Sequence, residues 1–556
     1  MTLVEELRAI GLRDVTDDPS MLQGFSQDAS LFMMKPQVAV FPQSVRELQL
    51  IVDFVAAQKE LGRDISLTAR AAGTDMSGGP LTESIVLVFT KYLQTLKKIE
   101  NKEAIVEPGM YYRDFEKATL QHDLLLPSYP ASRELCTVGG MVANNSGGEK
   151  TLRYGKTDRY VKKIKMILDD GHEYTFNKLT PAELAEKMNQ ENREGVLYRE
   201  MYELLTKNAV AIKKARPTVT KNSAGYALWN VIDPGAKTFD LTSVITGSQG
   251  TLGLISEITF ELVQPQHQAA LLVIFLNDLQ QLAEIVKRVL VEKPESFESY
   301  DDQTLKVAIK TLPALLKQMG GNALLTGLRF IPELWMTLRN GLPKLVLLAE
   351  FTAMSAEAAL QQALKAQQAL ADLELTTRVT GSAADRHKYW TIRRESFNLL
   401  RHQVQGLHTA PFIDDFVVAP QYLPEFLPKL YAILDEYKLL YTVAGHVGEG
   451  NFHIIPLVDM ASPSLKATIE ELSKRVYELV LKYHGSITGE HNDGLVRGAY
   501  LQDAFGKEIY DLFVATKNIF DPQGIFNPQK KVNVTWEYAA QYLQTDHPED
   551  ALPHAS

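Results

Sequence analysis

The chain has 556 residues, a formal net charge of −10, 45% hydrophobic and 23% charged residues, the make-up of a soluble globular protein of two or three domains. The acidic balance, with no basic run, excludes a nucleic-acid partner. No apolar run approaches the ~20 residues of a membrane helix, and the single cysteine, Cys136, excludes an internal disulfide or a cysteine-ligated iron–sulfur cluster within the chain.

The opening MTLVEELRAIGLRDVTDD is acidic and amphipathic rather than signal-like. A cytoplasmic location is expected, with peripheral attachment to the inner membrane as the alternative. Residues 36–60 read as a short strand, a proline turn and an amphipathic helix, with Ser44 and Glu47 at capping-box spacing. A strand over 65–69 then runs into RAAGTDMSGGP, residues 70–80. Its Ala72, Gly73, Thr74, Asp75, Met76, Ser77 and Gly78 let backbone N–H groups turn inward, which suits a diphosphate. The loop is neither GxGxxG nor a Walker loop, and alone it is more often just a turn.

A second small-residue loop, TVGGMVANNSGGEKTLRYGKTDRYV, covers 137–161. Thr137, Gly139, Gly140, Asn144, Asn145, Ser146, Gly147 and Gly148 make it too glycine-rich for a helix interior, yet apolar segments flank it. Close backbone approach to a large ligand explains it better than flexibility. A third, TGSQGTLGLIS at 246–256, carries Gly250 and Ile255 and enters a strand over 257–262. Three such loops point to one elongated cofactor wrapped by one domain. Residues 175–235 read as a polar helical connection of no legible role. Two strand-plus-helix runs, 268–300 and 344–380, suggest β–α units backing an antiparallel sheet. Residues 301–342 are apolar and helical by composition.

The stretch YTVAGHVGEGNFHIIPLVD, residues 441–459, carries the chemistry. Segments 439–444 and 452–458 are rich in strand formers, and Gly448 and Gly450 break any helix between them. A two-residue turn at Glu449 and Gly450 sets Gly448 opposite Asn451 and His446 opposite His453. Opposite Cβ atoms lie roughly 4.5–5.5 Å apart, so both imidazoles reach one ion; a one-residue slip would separate them. Glu490, after the next helical run, completes a set of two histidines and a carboxylate. Three ligands and an open position fit a catalytic divalent ion such as Zn, Mn or Fe. Each histidine could equally be an ordinary hydrogen-bonded core residue. His491, beside Glu490 but free to face a substrate, suits a general base, a bond to a cofactor being its alternative role.

In this order RAAGTDMSGGP, TVGGMVANNSGG and TGSQGTLG resemble the FAD domain of the vanillyl-alcohol oxidase and p-cresol methylhydroxylase flavoproteins. HVGEGNFH and GEH narrow the resemblance to the FAD-linked D-2-hydroxyacid dehydrogenase branch, which includes D-lactate dehydrogenase, the glycolate oxidase flavin subunit and D-2-hydroxyglutarate dehydrogenase. The resemblance covers about residues 20–530. It implies an α+β protein with an FAD-binding domain of two subdomains over 1–264 and an α+β cap with an antiparallel sheet over 265–515. A C-terminal segment, 516–556, would return to the flavin through NIFDPQGIFNPQK. No histidine lies in the first loop, so noncovalent FAD is expected.

The resemblance also implies roles. Arg393, three residues after Trp390, falls where the family binds the substrate carboxylate, with Arg394 as the alternative. Asn451 would orient a ligand or the substrate, Asn527 would touch the flavin ring region, and Tyr154 joins the cofactor set. Asp414 and Asp415 read as structural, or as partners of the arginines. Three departures stand out. Asp75 places a carboxylate in a loop meant for diphosphate, and must turn away from it. Asn492-Asp493-Gly494 replaces the family's Gly-Ile-Gly beside the base, and Ile413 replaces a lysine that would hold a second carboxylate. The expected reaction is oxidation of a D-2-hydroxy acid, with electrons passed to an external acceptor such as electron-transfer flavoprotein, quinone or a cytochrome, in a homo-oligomer. Oxidation of another alcohol by O2, ether-lipid synthesis, and a non-catalytic flavin subunit of an electron-transfer complex are the competing readings.

Overall fold

The computed structural model describes residues 1–310, 341–403 and 406–544. Most of the apolar helical stretch expected over 301–342 lies outside them; its described part is the helix Asp302–Lys310.

Near the N-terminus, Val38–Val40 and Leu67–Arg70 pair parallel with Ile85–Val88 between them, and Val15–Thr16 adds an antiparallel edge. The helix Val45–Glu60 covers this sheet. Ser44 caps it as its spacing predicts, but Glu47 reaches back to the amide of Gln43 rather than Ser44. A five-stranded antiparallel sheet follows, with Leu254–Glu261 between Glu103–Val106 and Val161–Ile167. The polar connection forms the helices Pro181–Met188, Arg193–Lys207 and Ala209–Ala215. The NPQK segment comes home to the first sheet: Asn527 donates its amide to the Leu67 carbonyl at 2.8 Å, and Phe526 bridges Leu67 in parallel.

The cap is built on an antiparallel sheet of eight strands among the described residues. Gln268–Leu276 and Leu345–Ala353 are apolar on both faces, and alternation sorts them. Leu272 and Ile274 pack with the helices Leu282–Val291 and Ala356–Gln368. Leu271, Val273 and Phe275 pack with Tyr389 and Ile392 of the helix Ala383–Gln403 on the other face. Glu298 and Tyr300 of Ser296–Asp301 share that second face, as do His446 and His453 of the next two strands. Parity therefore gathers the chemistry on the side that meets the N-terminal sheets.

Candidate functional site

A cleft of about 250 Å³ opens where the first two glycine loops and the 246–256 loop meet, near the lower end of the ~300–1,000 Å³ of a drug-sized site. Gly73, Thr74, Asp75 and Met76 line one wall; Thr137, Gly139, Gly140, Asn144, Ser146 and Gly147 line another; Gly250 and Ile255 close the third. The rest of the expected cofactor set stands behind these walls. Ala72, Ser77, Gly78, Asn145 and Gly148 are not among the lining residues, and Tyr154 turns its hydroxyl to Glu295 at 3.2 Å. Asn527, expected at the flavin ring, is fully buried and donates to the carbonyls of Gly79 and Gln249 at 2.9 and 2.8 Å. It ties the returning tail to two of the loops.

Two local surprises follow from packing. Residues Val138–Asn144 do form a helix, capped by Thr137, despite their glycines. Gly139 is there for proximity: a Cβ would stand 2.5 Å from Pro108 Cβ and 2.6 Å from its carbonyl oxygen. Asp75, the misplaced carboxylate, folds into its own loop and accepts from the amides of Ser77 and Gly79 at 3.1 and 2.8 Å. Asp28 takes the Gly78 amide at 3.1 Å. Those three amides are therefore committed, and the cleft-facing stretch from Gly73 to Met76 is left to meet an anion.

At one end of the cleft lie Glu490 and His491, and behind them the hairpin. Its register is not the expected one: His446 pairs with Asn451 and His453 with Ala444. The turn spans four residues because Gly450, at φ +71°, seats so close to Val418 that a Cβ would overlap its carbonyl oxygen. The slip amounts to two residues, so both histidines keep the same face, with ring centroids 5.2 Å apart. Their Nε2 atoms stand 3.2 Å (His446) and 3.4 Å (His453) from Glu490 Oε1, and His491 Nε2 stands 3.8 Å from it.

Each imidazole is steered from behind. His446 Nδ1 meets Glu298 at 2.6 Å, while Asp414 holds His453 at 3.1 Å and His491 at 2.6 Å through its two oxygens. With Nδ1–H given to those carboxylates, each Nε2 lone pair faces another acceptor, Glu490 Oε1, and such an arrangement calls for a cation between them. The His446 and His453 separations from Glu490 lie near the ~3.4 Å edge of a tetrahedron with 2.0–2.2 Å metal bonds. Protons can fill the same role. Burial works against the charged imidazole, but Asp414 and Glu490 outweigh it and push His453 up to about 10. Glu298 and Asp414 likewise raise His446 and His491 against their burial. Burial likewise opposes ionised Glu490, yet Lys221 and His446 hold it well below the usual carboxylate range. Among the described residues the side chains whose ligand atoms all lie within 4.8 Å of one another are Asp415, His453, Glu490 and His491, donors that fit a divalent ion; of the expected set, His446 stands outside this group and meets it through Glu490 Oε1.

Asp415 also comes within 4.8 Å of the ligand atoms of His453, Glu490 and His491, but its oxygens are spoken for. One accepts from Thr488 Oγ1 and the amides of Glu490 and His491, at 2.6, 2.9 and 2.7 Å; the other accepts from Asn451 Nδ2 at 3.0 Å. Asp415 positions the Glu490–His491 pair. Of the two expected roles, structural support or partnership with the arginines, the two aspartates take the first, bracing the histidines and the Glu490–His491 backbone. Asn451, expected to orient a ligand or the substrate, is a brace behind Glu490. It is fully buried, its amide donates to Asp415 and to the Phe416 carbonyl, and its oxygen faces Lys221.

Arg393 lies 3.2 Å from Glu298, the partner of His446, and its buried Nε has no hydrogen-bond partner. Arg394 pairs with Glu149 at 2.7 Å and sits over the Trp390 ring. Asn492 and Asp493 are turned away from the base. Asn492 donates to the carbonyls of Asn144 and Gly247, and Lys531 holds both side chains, at 2.6 and 2.7 Å. Ile413 is fully buried in the cap core. Sequence reasoning missed Lys221, Glu298 and Arg497. Lys221 Nζ is within 3.0 Å of Glu490 and 3.1 Å of Glu449, and Arg497 donates to the Asp414 carbonyl at 2.6 Å. No motif flags a lone lysine in a polar connection; only the alternation of SFESYD hints that Glu298 shares a face with Tyr300.

With this geometry, comparison with known proteins is informative. A model of the FAD-binding domain matches residues 36–177, and a model of the C-terminal domain of FAD-linked oxidases matches 264–531. The chain thus carries the two domains of FAD-linked oxidases, the FAD-binding one and the C-terminal one. Among curated relatives is a D-2-hydroxyglutarate dehydrogenase of Pseudomonas putida, 25% identical over 95% of this chain and 51% of its own. A D-lactate dehydrogenase of Archaeoglobus fulgidus is 26% identical over 89% of this chain and 91% of its own. The branch suggested by HVGEGNFH is thus the branch of its relatives. The chain spans about half the length of the D-2-hydroxyglutarate dehydrogenases it matches. In fold the chain is similar to 4-ethylphenol oxidase from Gulosibacter chungangensis (TM-score 0.66, 15% identity, 96% of this chain and 97% of that one). It is also similar to p-cresol methylhydroxylase (TM-score 0.65, 15% identity, 94% and 95%). Among the described residues no helix is long and apolar enough to cross a membrane.

Proposed function

We propose that this protein converts a D-2-hydroxy acid of the D-lactate type to the 2-oxo acid and passes the electrons to an external acceptor, such as electron-transfer flavoprotein, a quinone or a cytochrome. The observation that carries the reading is the convergence of three imidazole Nε2 atoms on Glu490 Oε1, with Glu490 and His491 on the wall of the cleft. FAD bound noncovalently along Gly73–Met76, residues 137–147 and Gly250 supplies a hydride acceptor, and a Zn, Mn or Fe ion on His446, His453 and Glu490 supplies Lewis acidity.

The chain's own groups do the rest. His491 receives the substrate hydroxyl proton at Nε2. Its Nδ1 stays on Asp414, which fixes the tautomer and stabilises the imidazolium, much as the buried aspartate of a hydrolytic triad does. Arg393, with Nε free of other partners, orients the substrate carboxylate while its far edge rests on Glu298. The buried Ile413 leaves no cation for a second carboxylate, which favours a short monocarboxylic acid over 2-hydroxyglutarate. Anaerobic addition of D-lactate and other 2-hydroxy acids to the purified flavoprotein tests this: D-lactate should bleach the flavin band and L-lactate should not. Peroxide formation from a simple alcohol under air, with no response to any hydroxy acid, would move the assignment to an oxidase of another alcohol.

A further inference from the structure

Lys221 lies in the connection 216–227, for which the sequence offers no role, and the structure brings that connection under the cage. Ser223 donates its amide to the Thr488 carbonyl at 3.0 Å, and Gly225 donates to Asp493 at 2.9 Å. Lys156, itself buried, clamps the carbonyls of Asn222 and Gly489 together at 3.1 and 2.7 Å. The result is a fixed platform that carries the Lys221 ammonium, at 0% exposure, between two carboxylates. Nζ is 3.0 Å from Glu490 Oε2 and 3.1 Å from Glu449 Oε2, with Asn451 Oδ1 at 3.4 Å. Glu490 therefore shows the histidines only Oε1, because Oε2 belongs to the lysine.

We propose that Lys221 is a positioning residue for the proposed cation: shared between Glu449 and Glu490, it holds Glu490 to one-oxygen presentation and withholds part of that carboxylate's charge from the ion. The inference rests on the metal reading above. A buried ammonium so close to a ligand oxygen weakens the pull of the cage on a divalent ion, because unscreened charges act strongly at this range. A cage of this kind leaves coordination positions open for a substrate's oxygens rather than closing around the ion. If Lys221 served stability alone, its removal would loosen the cage and weaken ion binding; charge withholding predicts the opposite sign.

The test is titration of the chelator-stripped, FAD-replete protein with Zn²⁺, and separately Mn²⁺, in competition with a chromophoric chelator. Lys221→Met should tighten binding at least tenfold. Glu449→Gln, which leaves the whole ammonium to Glu490, should weaken it at least fivefold and keeps the question decidable should Lys221→Met fail to fold. Weaker binding in Lys221→Met, or affinities within twofold of the parent in every variant that folds, overturns the proposal while leaving the metal site standing. Absence of stoichiometric binding in the parent, or binding insensitive to His446→Ala, overturns the metal reading and this inference with it.

Discussion

The cofactor cleft and the histidine cage meet at Glu490, yet they are made from different material. The cleft is mostly backbone: amides of small residues, close-packed at Gly139 against Pro108, and at Gly147, where a Cβ would stand 3.2 Å from Glu490 Oε2. The cage is all side chain, with three imidazoles, five carboxylates and the cations Lys221, Arg393 and Arg497 arranged in two layers. A backbone site fails when volume is added; a side-chain site fails when a charge or a donor is removed.

The sharpest break falls on the cage. His491→Ala should lower kcat/KM by about 10²–10⁴ while FAD content is retained, the range expected for a lost acid–base group; near-parental turnover in a flavin-replete variant would leave His491 with no role in proton transfer. A smaller effect is expected one layer out. Glu298→Gln keeps its shape but loses the carboxylate behind His446, and metal affinity should fall about 10–100-fold, read by the same chelator competition.

In the cleft the effect should appear in stability and flavin content. Gly139→Ala forces a methyl into Pro108, at a cost of about 1–3 kcal/mol. It should lower Tm and the fraction of protein that retains FAD without changing metal affinity. A loss of metal with flavin intact would merge the two regions.

The mildest prediction concerns the cap sheet that carries the cage. Burial raises the Glu350 carboxyl to about 7, although the Trp390 indole donates to it at 3.0 Å. The folded protein then keeps a proton that the unfolded chain releases above its ordinary value near 4.5. This contribution is complete at low pH and is lost as pH rises to about 7. The slope is at most about 1.4 kcal/mol per pH unit. Glu350→Gln should flatten the fall of stability over that window in denaturant titrations; equal slopes would show that the carboxyl is ionised throughout.

The two regions were also unequally legible. Glycine excess marked all three cleft loops in the sequence, because close approach to a ligand demands that residue. It could not tell which small residues face the cleft and which, like Asn145 and Gly148, stand behind it. It also hid the short helix at 138–144, where tertiary contact with Pro108 overrides poor propensity. His446 and His453 were readable from strand parity and Glu490 from the Gly-Glu-His after the next helix, and an error of two in register did no harm where an error of one would have. The layer behind them was not readable. Asp414 could have served anything, and Lys221 sits 269 residues from the Glu490 it restrains. Such partners are set by topology, and local pattern carries no trace of them.

One spectrum tests the central claim most directly. The flavin band of the protein is recorded under anaerobic D-lactate before chelation, after removal of bound ions, and after Mn²⁺ or Zn²⁺ is returned. Rapid bleaching, its loss, and its recovery are the expected sequence. Bleaching equally fast in all three samples would show that the imidazoles and Glu490 hold nothing the reaction requires.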